Sequence, residues 1–273
     1  MDYENLVLKS RDKIATVTLN SPKNFNAVSE ELMIDIGNVL DVCADDNNIR
    51  VIVIRVEGRV FSSGVDVNAL KKGLEERDML KLVRMVRASG NVARKLRAIR
   101  KPIIASLHGA VAGAACSLAL LSDFRVASDD MLFIQVFLNM GLIPDMGYTF
   151  SLGRYVGFGR LTEFVMLNKI LTADKAFDLG LVNIVTTKEN LQNETMNLAK
   201  KLVALPSDAV ALTKTLINQT VFAGLDQCLE REIKYQDLLS RSENYAEGLD
   251  AFLEKRPAVF NKQDAQSPTA PVI

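Results

Sequence analysis

The sequence predicts an α/β protein in which strands and helices alternate as β/β/α up to about residue 200, followed by helices alone. Three observations support this prediction. Short apolar runs of strand length, such as Val51–Ile54, recur in the first half of the chain. Helical patterns dominate from Leu161 onwards. A break at Leu205-Pro206-Ser207 then precedes three further helical segments.

The predicted strands come early in the chain. Leu6–Leu8 and Ile14–Leu19 are two short strand patterns, separated by a charged turn. Val51–Ile54 and Ile103–Leu107 are continuous apolar runs, which is typical of strands buried on both faces. Two more short strands are predicted, at Phe124–Ala127 and Met131–Phe133.

Predicted helices lie between and after these strands. Ser29 is a predicted N-cap, because Glu30 and Glu31 follow it where the helix dipole favours acids. A long helical stretch is predicted from about Asn68 to Ile99, before Pro102. The later predicted helices are Leu161–Met166, Ala173–Leu179, Glu189–Leu202, Ser207–Thr220, Asp226–Leu239 and Glu243–Leu253.

The length of 273 residues suits one large domain or one domain with a helical appendage. We expect residues 1–203 to form the core, residues 204–262 a C-terminal helical oligomerisation region, and residues 263–273 a disordered tail. The tail is mostly polar and contains two prolines. A terminal helical region with an exposed apolar face favours oligomerisation.

Composition and charge exclude several classes of protein. Lys+Arg and Asp+Glu both number 33, which argues against nucleic acid as the main partner. No run of 18 apolar residues and no signal-peptide core is present, so we expect no membrane partner and a cytoplasmic location. The three cysteines, Cys43, Cys116 and Cys228, are expected to be reduced.

Two glycine-containing turns, Phe61–Val67 and His108–Ala115, are the strongest functional pattern. Such turns can present backbone N–H groups to an oxygen that becomes negative during a reaction. The sequence around them offers no obvious histidine base, metal cluster or pair of glutamates. One acid stands out, Asp145 in Gly141–Gly147. An oxyanion hole with one carboxylate suggests proton transfer beside a carbonyl rather than addition of water.

The chain resembles the crotonase family, also called the enoyl-CoA hydratase/isomerase superfamily, from about Leu6 to Phe260. The resemblance implies a crotonase-like spiral of ββα units, a homotrimer or hexamer, and an acyl-CoA thioester substrate. No metal or redox cofactor is implied, since coenzyme A is part of the substrate. The matching segments are Leu19–Val28, Phe61–Val67, His108–Asp123, Ala173–Val182 and Glu247–Arg256.

The resemblance also identifies the oxyanion donors as the backbone N–H groups of Val65 and Ala114. Gly113 would permit close approach of the backbone, and Ala114 would lie in the first turn of a helix running to Leu121. N–H groups in that turn have no partner within the helix and lie at its positive end. The two turns together therefore favour an oxyanion hole over ordinary connections.

The hydratases of this family use two glutamates to orient and split a water molecule. The matching positions in this chain are Ser117 and Phe137. Neither side chain can replace a carboxylate, so hydration by the usual route is not expected. Asp145 resembles the single acid of Δ3,Δ2-enoyl-CoA isomerases and of bacterial ring-opening isomerases. The simpler interpretation is that Asp145 caps a helix beginning near Met146.

The resemblance further implies contacts with coenzyme A. For any one of these residues, an ordinary loop or turn role is about equally supported. Lys255 matches a late lysine that reaches the phosphates, and the pair Lys71-Lys72 could also meet them. His108 is interpreted as structural and Cys116 as a packing residue. The implied coenzyme A contacts are Lys23, Phe25, Ser63, Asp66, Val67, Gly113 and Lys255.

We therefore expect an acyl-CoA isomerase of fatty acid β-oxidation that shifts a double bond from Δ3 to Δ2, with Asp145 as acid and base. Alternatives are a ring-opening or epoxide-type isomerase of aromatic acyl-CoA breakdown, and a hydratase-like protein with altered or lost activity. A dehalogenase that uses Asp145 as nucleophile is disfavoured, because the chain has no Trp and His108 lies elsewhere. A CoA- or RNA-binding scaffold is the alternative outside enzymes.

Overall fold

The computed structural model describes residues 3–78 and 80–262. The segment 263–273, for which disorder was predicted, lies outside the described residues. The strands are β1 (Leu6–Arg11), β2 (Ile14–Leu19), β3 (Val51–Val56), β4 (Ile103–Leu107), β5 (Ala110–Ala112), β6 (Phe124–Ser128), β7 (Leu132–Ile134), β8 (Leu171–Thr172) and β9 (Ile184–Thr186).

Helices connect the strands and follow them, as the sequence predicts. They are α1 (Glu30–Asp45), α2 (Val67–Glu75), α3 (Lys81–Ala98), α4 (Ala114–Leu121), α5 (Tyr148–Met166), α6 (Ala173–Asp178), α7 (Leu191–Val203), α8 (Ser207–Val221), α9 (Leu225–Leu239) and α10 (Glu243–Leu253). The α/β prediction is confirmed, including the C-terminal helices.

The strands form two sheets. The larger sheet has the order β1-β2-β3-β4-β6-β9, with β1 antiparallel to β2 and every other pair parallel. The smaller sheet has the order β5-β7-β8. Strands β3 and β4 are mostly apolar because the sheet is covered on two sides: Ile52 and Ile54 face one apolar core and Val51 and Val53 face another.

The predicted helix boundaries agree with the structure at some places and differ from it at others. Ser29 caps α1 as predicted, accepting the Leu32 N–H at 3.1 Å. The helical stretch predicted from about Asn68 to Ile99 consists of two helices, α2 and α3, and Arg77 between them has a left-handed φ of 56°. The helix predicted to begin near Met146 begins at Tyr148. Gly157, with non-helical φ and ψ of 73° and 169°, breaks α5, and the predicted Leu161–Met166 helix lies in the part after this kink.

The C-terminal helices cover the first part of the chain. Helix α9 packs on α3, and α10 packs on α2 and on a short 3-10 turn at Leu138–Met140. An ion pair of 2.6 Å between Lys71 and Asp250 joins α2 to α10. Helix α8 leaves Leu212 and Leu216 exposed, and the oligomerisation of this region stays a prediction. None of the helices in the described ranges could cross a membrane.

A buried ion network attaches α8 to the core. The Asp123 carboxylate accepts from Arg97 of α3 at 3.0 Å and from Lys214 of α8 at 2.7 Å. It also accepts the Ile103 N–H at the start of β4, at 2.8 Å. Burial lowers the pKa of Lys214 to about 8, and Asp123 opposes that effect. The carboxylate therefore balances two buried cations at the junction of a strand and two helices.

Removing that carboxylate should destabilise the protein strongly. Asp123→Ala leaves Arg97 and Lys214 buried without their counter-ion, at an expected cost of about 3–5 kcal/mol. Urea unfolding followed by circular dichroism measures the change. The control is Asp226→Ala, which removes an ion pair with Arg94 whose aspartate is 77% exposed, and should cost less than about 1 kcal/mol. Equal losses in the two variants would contradict this account of the network.

Candidate active site

The two glycine turns lie against each other. A Cβ atom placed on Gly113 would be 3.6 Å from the Cα of Gly64. Their φ values are 55° and 90°, which L side chains rarely adopt, so the backbone conformation favours glycine at both positions. Ser62 pairs with Val111 of β5 in a short parallel bridge that holds the first turn beside the second.

The expected oxyanion donors have free N–H groups. Ala114 is the first residue of α4, after the N-cap Gly113, and within the described residues its N–H reaches no protein acceptor. The Val65 N–H likewise reaches no protein acceptor within the described residues. Its two neighbours pair with Val28: the Gly64 C=O accepts the Val28 N–H, and the Asp66 N–H donates to the Val28 C=O. Both N–H groups belong to residues that line the same cavity.

Ser62 is a site residue that the sequence interpretation missed. Its buried hydroxyl donates to the Asn26 C=O at 2.7 Å and accepts the Gly64 N–H at 3.1 Å. Backbone hydrogen bonds at 3.0 and 3.1 Å tie the same residue to Ala110 and Ala112 of β5. This side chain therefore fixes the turn that presents the Val65 N–H.

Asp145 is a buried acid with one unpaired oxygen. Its side chain is 4% exposed, and Oδ1 has no hydrogen-bond partner in the structure. Oδ2 accepts from Nε2 of Gln236 at 3.4 Å. The pKa of Asp145 is raised to about 7, mainly by burial and also by the charge of Glu232, while the Gln236 hydrogen bond acts to lower it. An acid with this proton affinity can both take up and release a proton near neutral pH.

The interpretation of Asp145 as a helix cap is wrong. Helix α5 begins at Tyr148, its N-cap is Gly147, and no side chain caps it. The Asp145 backbone C=O instead accepts the Ser117 hydroxyl at 2.9 Å and the Tyr148 N–H at 3.1 Å. Met146 follows with a left-handed φ of 55°, a strained conformation for a residue with a side chain. The backbone of Asp145 is thus held by its C=O group, and its side chain does not cap the helix.

Asp145, Val65 and Ala114 meet at one small cavity of about 20 Å³. A cavity of this size holds roughly one water molecule. Phe137, which lies 5% exposed, forms part of the wall. Apart from Asp145 and Ser89 the wall is apolar, which explains why burial dominates the proton affinity of the acid. The lining residues are Val28, Val65, Leu82, Met85, Ser89, Gly113, Ala114, Val136, Phe137, Met140, Leu142 and Asp145.

The residues implied as coenzyme A contacts divide into two groups. Lys23, Phe25, Ser63 and Lys255 are exposed, and the Ser63 N–H donates to the Phe25 C=O at 3.0 Å. Asp66 has a structural task, because it caps α2 by accepting the Ala69 N–H at 3.0 Å. The other two are internal: Val67 lies in an apolar cluster with Leu70, Leu82, Met85, Val86, Met140, Leu142, Tyr245 and Leu249, and Gly113 lies in the second turn.

Other polar or reactive residues lie away from the cavity wall. His108 contacts the Gly58 C=O through Nε2 at 3.1 Å and does not line the cavity. Burial raises the pKa of the Cys116 thiol to about 12, and its Sγ donates to the Val111 C=O. Such a thiol is a poor nucleophile. Lys72 lies 3.7 Å from Glu76 on the exposed side of α2.

The sequence interpretation also missed two buried polar residues of α9, Glu232 and Gln236. The Gln236 amide donates to the Ile143 C=O at 2.8 Å, and Glu232 accepts the Gly147 N–H. Together with Leu225 and Leu229 they form the buried face of the helix. Polar residues at helical spacing on an apolar stripe are the pattern that could have indicated them.

Buried acids make the free energy of unfolding depend on pH, and the direction of that dependence follows from the shifts of their pKa values. The pKa values of Asp145 and Glu232 are raised from 3.8 and 4.5 to about 7 in both cases. Their protonation therefore stabilises the fold fully below about pH 4, and this stabilisation is lost as the pH rises through 7. In Asp145→Asn the free energy of unfolding should fall less steeply from about pH 5 to 7, by about 1 kcal/mol per pH unit.

Urea unfolding at a series of pH values measures this slope. Asp226→Asn, whose side chain is exposed, serves as the control and should follow the wild-type slope. If Asp145→Asn also follows the wild-type slope, Asp145 does not hold a proton in this range.

Comparison with known proteins assigns the family. Residues 9–263 match the family described as "Enoyl-CoA hydratase/isomerase". Trans-2-decenoyl-[acyl-carrier-protein] isomerase of Streptococcus mutans is 32% identical over 260 residues, which cover 95% of this chain and 99% of that protein. The 1,2-epoxyphenylacetyl-CoA isomerase of Escherichia coli is 32% identical over 247 residues, covering 90% and 94%.

A solved structure supports the same assignment. The crystal structure of an enoyl-CoA hydratase from Mycobacterium avium subsp. paratuberculosis K-10 matches with a TM-score of 0.87 and 28% identity, covering 96% of this chain and 100% of that one. Hydratase and isomerase names both occur among the relatives. With its paired glycine turns and its C-terminal helices, the chain belongs to the enoyl-CoA hydratase/isomerase family and has the crotonase fold.

Proposed function

We propose that this enzyme isomerises enoyl thioesters by moving a double bond between the Δ3 and Δ2 positions, with Asp145 as the only acid and base. The observation that carries the proposal is one cavity lined by two residues with free N–H groups, Val65 and Ala114, and by one carboxyl group with an unpaired oxygen. This set matches the needs of proton transfer beside a carbonyl.

The proposed reaction has two proton transfers. The Asp145 carboxylate removes a proton from C2 of a 3-enoyl thioester, and the electron pair is delocalised onto the thioester oxygen. The N–H groups of Val65 and Ala114 bind that oxygen and stabilise the dienolate by several kcal/mol. Asp145 then returns the proton to C4, which leaves a 2-enoyl thioester. The apolar wall limits exchange of that proton with water.

The residues in place of the hydratase glutamates support isomerisation over hydration. The Ser117 hydroxyl donates to the Asp145 C=O and is fully buried, so it supports the loop and does not face a water molecule. Phe137 contributes an apolar ring to the cavity wall. Neither can activate water, and among the described residues that line the cavity Asp145 is the only one with a carboxyl group.

The carrier of the acyl group is part of the proposal. Coenzyme A is the carrier that the family description implies, and acyl carrier protein appears in the name of the relative from Streptococcus mutans. Both carriers present the acyl group as a thioester, so the cavity chemistry is the same for the two. We favour coenzyme A, and assays with both carriers of one acyl chain decide between them.

A second candidate function is isomerisation of an aromatic epoxide thioester. The similarity to the 1,2-epoxyphenylacetyl-CoA isomerase favours it, at 32% identity over most of both chains. One acid and an oxyanion hole would serve that reaction as well. Turnover of an epoxyphenylacetyl thioester that exceeds turnover of linear 3-enoyl thioesters would favour this candidate over the first.

Asp145→Asn tests the proposed mechanism. The amide cannot accept the substrate proton, so turnover of a 3-enoyl-CoA should fall by about two to four orders of magnitude. Affinity for a non-reactive acyl-CoA, measured by calorimetry, should change little because the N–H groups remain. The matched control, Asp226→Asn on the surface, should retain wild-type turnover. Wild-type turnover in Asp145→Asn would rule out the mechanism.

Hydration of crotonyl-CoA provides a separate test. With Ser117 and Phe137 in place of two carboxylates, water addition should be negligible, far below the roughly 10 s⁻¹ of an average enzyme. Loss of absorbance of the conjugated thioester measures it directly. A rate near that average would mean that another group activates water, and the proposed site would then be incomplete.

A further inference from the structure

A second buried acid, Glu232, lies behind the loop that carries Asp145. It is part of α9, is 4% exposed, and accepts the Gly147 N–H with both carboxylate oxygens, at 3.0 and 3.2 Å. The thiol of Cys228, one turn earlier on the helix, donates to it at 3.4 Å. Glu232 does not line the cavity, so the proposed proton transfer does not use it directly.

Gln236, one turn later on α9, holds the other end of the same loop. Its amide donates to the Ile143 C=O at 2.8 Å and to Oδ2 of Asp145 at 3.4 Å. Because residues four apart lie on one face of a helix, Glu232 and Gln236 contact the loop from a single side. The Ile143–Gly147 segment is therefore fixed at both ends by α9.

The charge of Glu232 affects the protonation of Asp145. Burial raises the pKa of Glu232 to about 7, and Glu232 is the charged group that raises the pKa of Asp145. Neither carboxyl group forms an ion pair with a lysine or arginine in residues 3–78 and 80–262. Glu232 binds the N–H of Gly147, two residues after Asp145, so the two buried carboxyl groups lie at the same short loop without a cation. Ionisation of one is then expected to disfavour ionisation of the other.

The other groups around Glu232 are few. Its own helix contributes Cys228, and the start of α5 contributes the Gly147 N–H dipole. Helix α3 also packs on α9, but its Arg94 is engaged at the surface by two other acids of α9. Those acids are Asp226 and Glu230. The positive charge of Arg231, also on α9, acts to lower the pKa of the Cys228 thiol.

We propose that Glu232 is a positioning residue that acts through Asp145. Its carboxyl group fixes the Gly147 end of the loop, and its charge sets how readily Asp145 takes up a proton. This inference rests on the proposed role of Asp145 as acid and base. It adds a residue to the site that does not touch the substrate and that lies 85 residues from Gly147 in the chain.

Two substitutions separate the anchoring role from the charge. Glu232→Gln keeps an oxygen for the Gly147 N–H but cannot ionise. With 3-enoyl-CoA, the acidic limb of its kcat–pH profile should move to lower pH by about one unit, and KM should stay within about twofold. Glu232→Ala also loses the acceptor, so its kcat should fall about tenfold or more at every pH, with a smaller change in KM.

Glu230→Gln on the exposed side of α9 is the matched control and should leave the profile unchanged. A Glu232→Gln profile that superimposes on the wild-type profile would overturn the charge role. A Glu232→Ala variant with wild-type kcat would overturn the anchoring role. Either result is distinguishable from failure of the proposed function, in which Asp145→Asn would itself remain active.

A titration that leaves Glu232 in place covers the case in which its variants do not fold. Carbon-13 NMR of protein labelled at the glutamate side-chain carboxyl carbons follows Glu232 in the wild type and in Asp145→Asn. Since coupling is reciprocal, the Glu232 midpoint should move to lower pH when Asp145 can no longer ionise. Identical Glu232 midpoints in the two proteins would show that the carboxyl groups are not coupled, and the charge role would fall.

Discussion

The contact between the Gly64 turn and the Gly113 turn is the constraint on which the site depends. Only 3.6 Å separates a Cβ at Gly113 from the Gly64 backbone, so two N–H groups from distant parts of the chain reach one cavity. Ser62 maintains this distance, because its hydroxyl and its backbone join the first turn to Asn26 and to β5. Without that contact each turn would be an ordinary connection between a strand and a helix.

The acid depends on a different set of supports. Ser117 of α4 holds the Asp145 C=O, while Glu232 and Gln236 of α9 hold the residues on either side of it. Ser117 occupies a position that the family resemblance matches to a hydratase glutamate. In this chain its hydroxyl instead holds the backbone of Asp145. Within the described residues Oδ1 makes no hydrogen bond, and the wall around it is mostly apolar, so the protein keeps a buried carboxyl group with a raised pKa.

The sequence predicted the parts of the site that local patterns determine. The glycine turns and Asp145 could be identified because each depends on residues within one short segment. Glu232, Gln236 and Ser62 could not, because their roles arise from contacts between elements far apart in sequence, such as the 91 residues between Gln236 and Asp145. The predicted cap role of Asp145 failed for a related reason. Contacts with α4 and α9 set the backbone there, and helix α5 begins three residues after the acid, at Tyr148.

The dependence of the acid loop on α9 has a consequence for biosynthesis. Domains generally begin to fold from the N-terminus while the ribosome is still adding residues. The sheets and both glycine turns precede α9 in the chain, so the contact between the two turns can form on a nascent chain in which the loop from Ile143 to Gly147 still lacks its anchors. The loop that carries Asp145 is then fixed later than the contact between the two glycine turns, because it needs a helix that is synthesised after them.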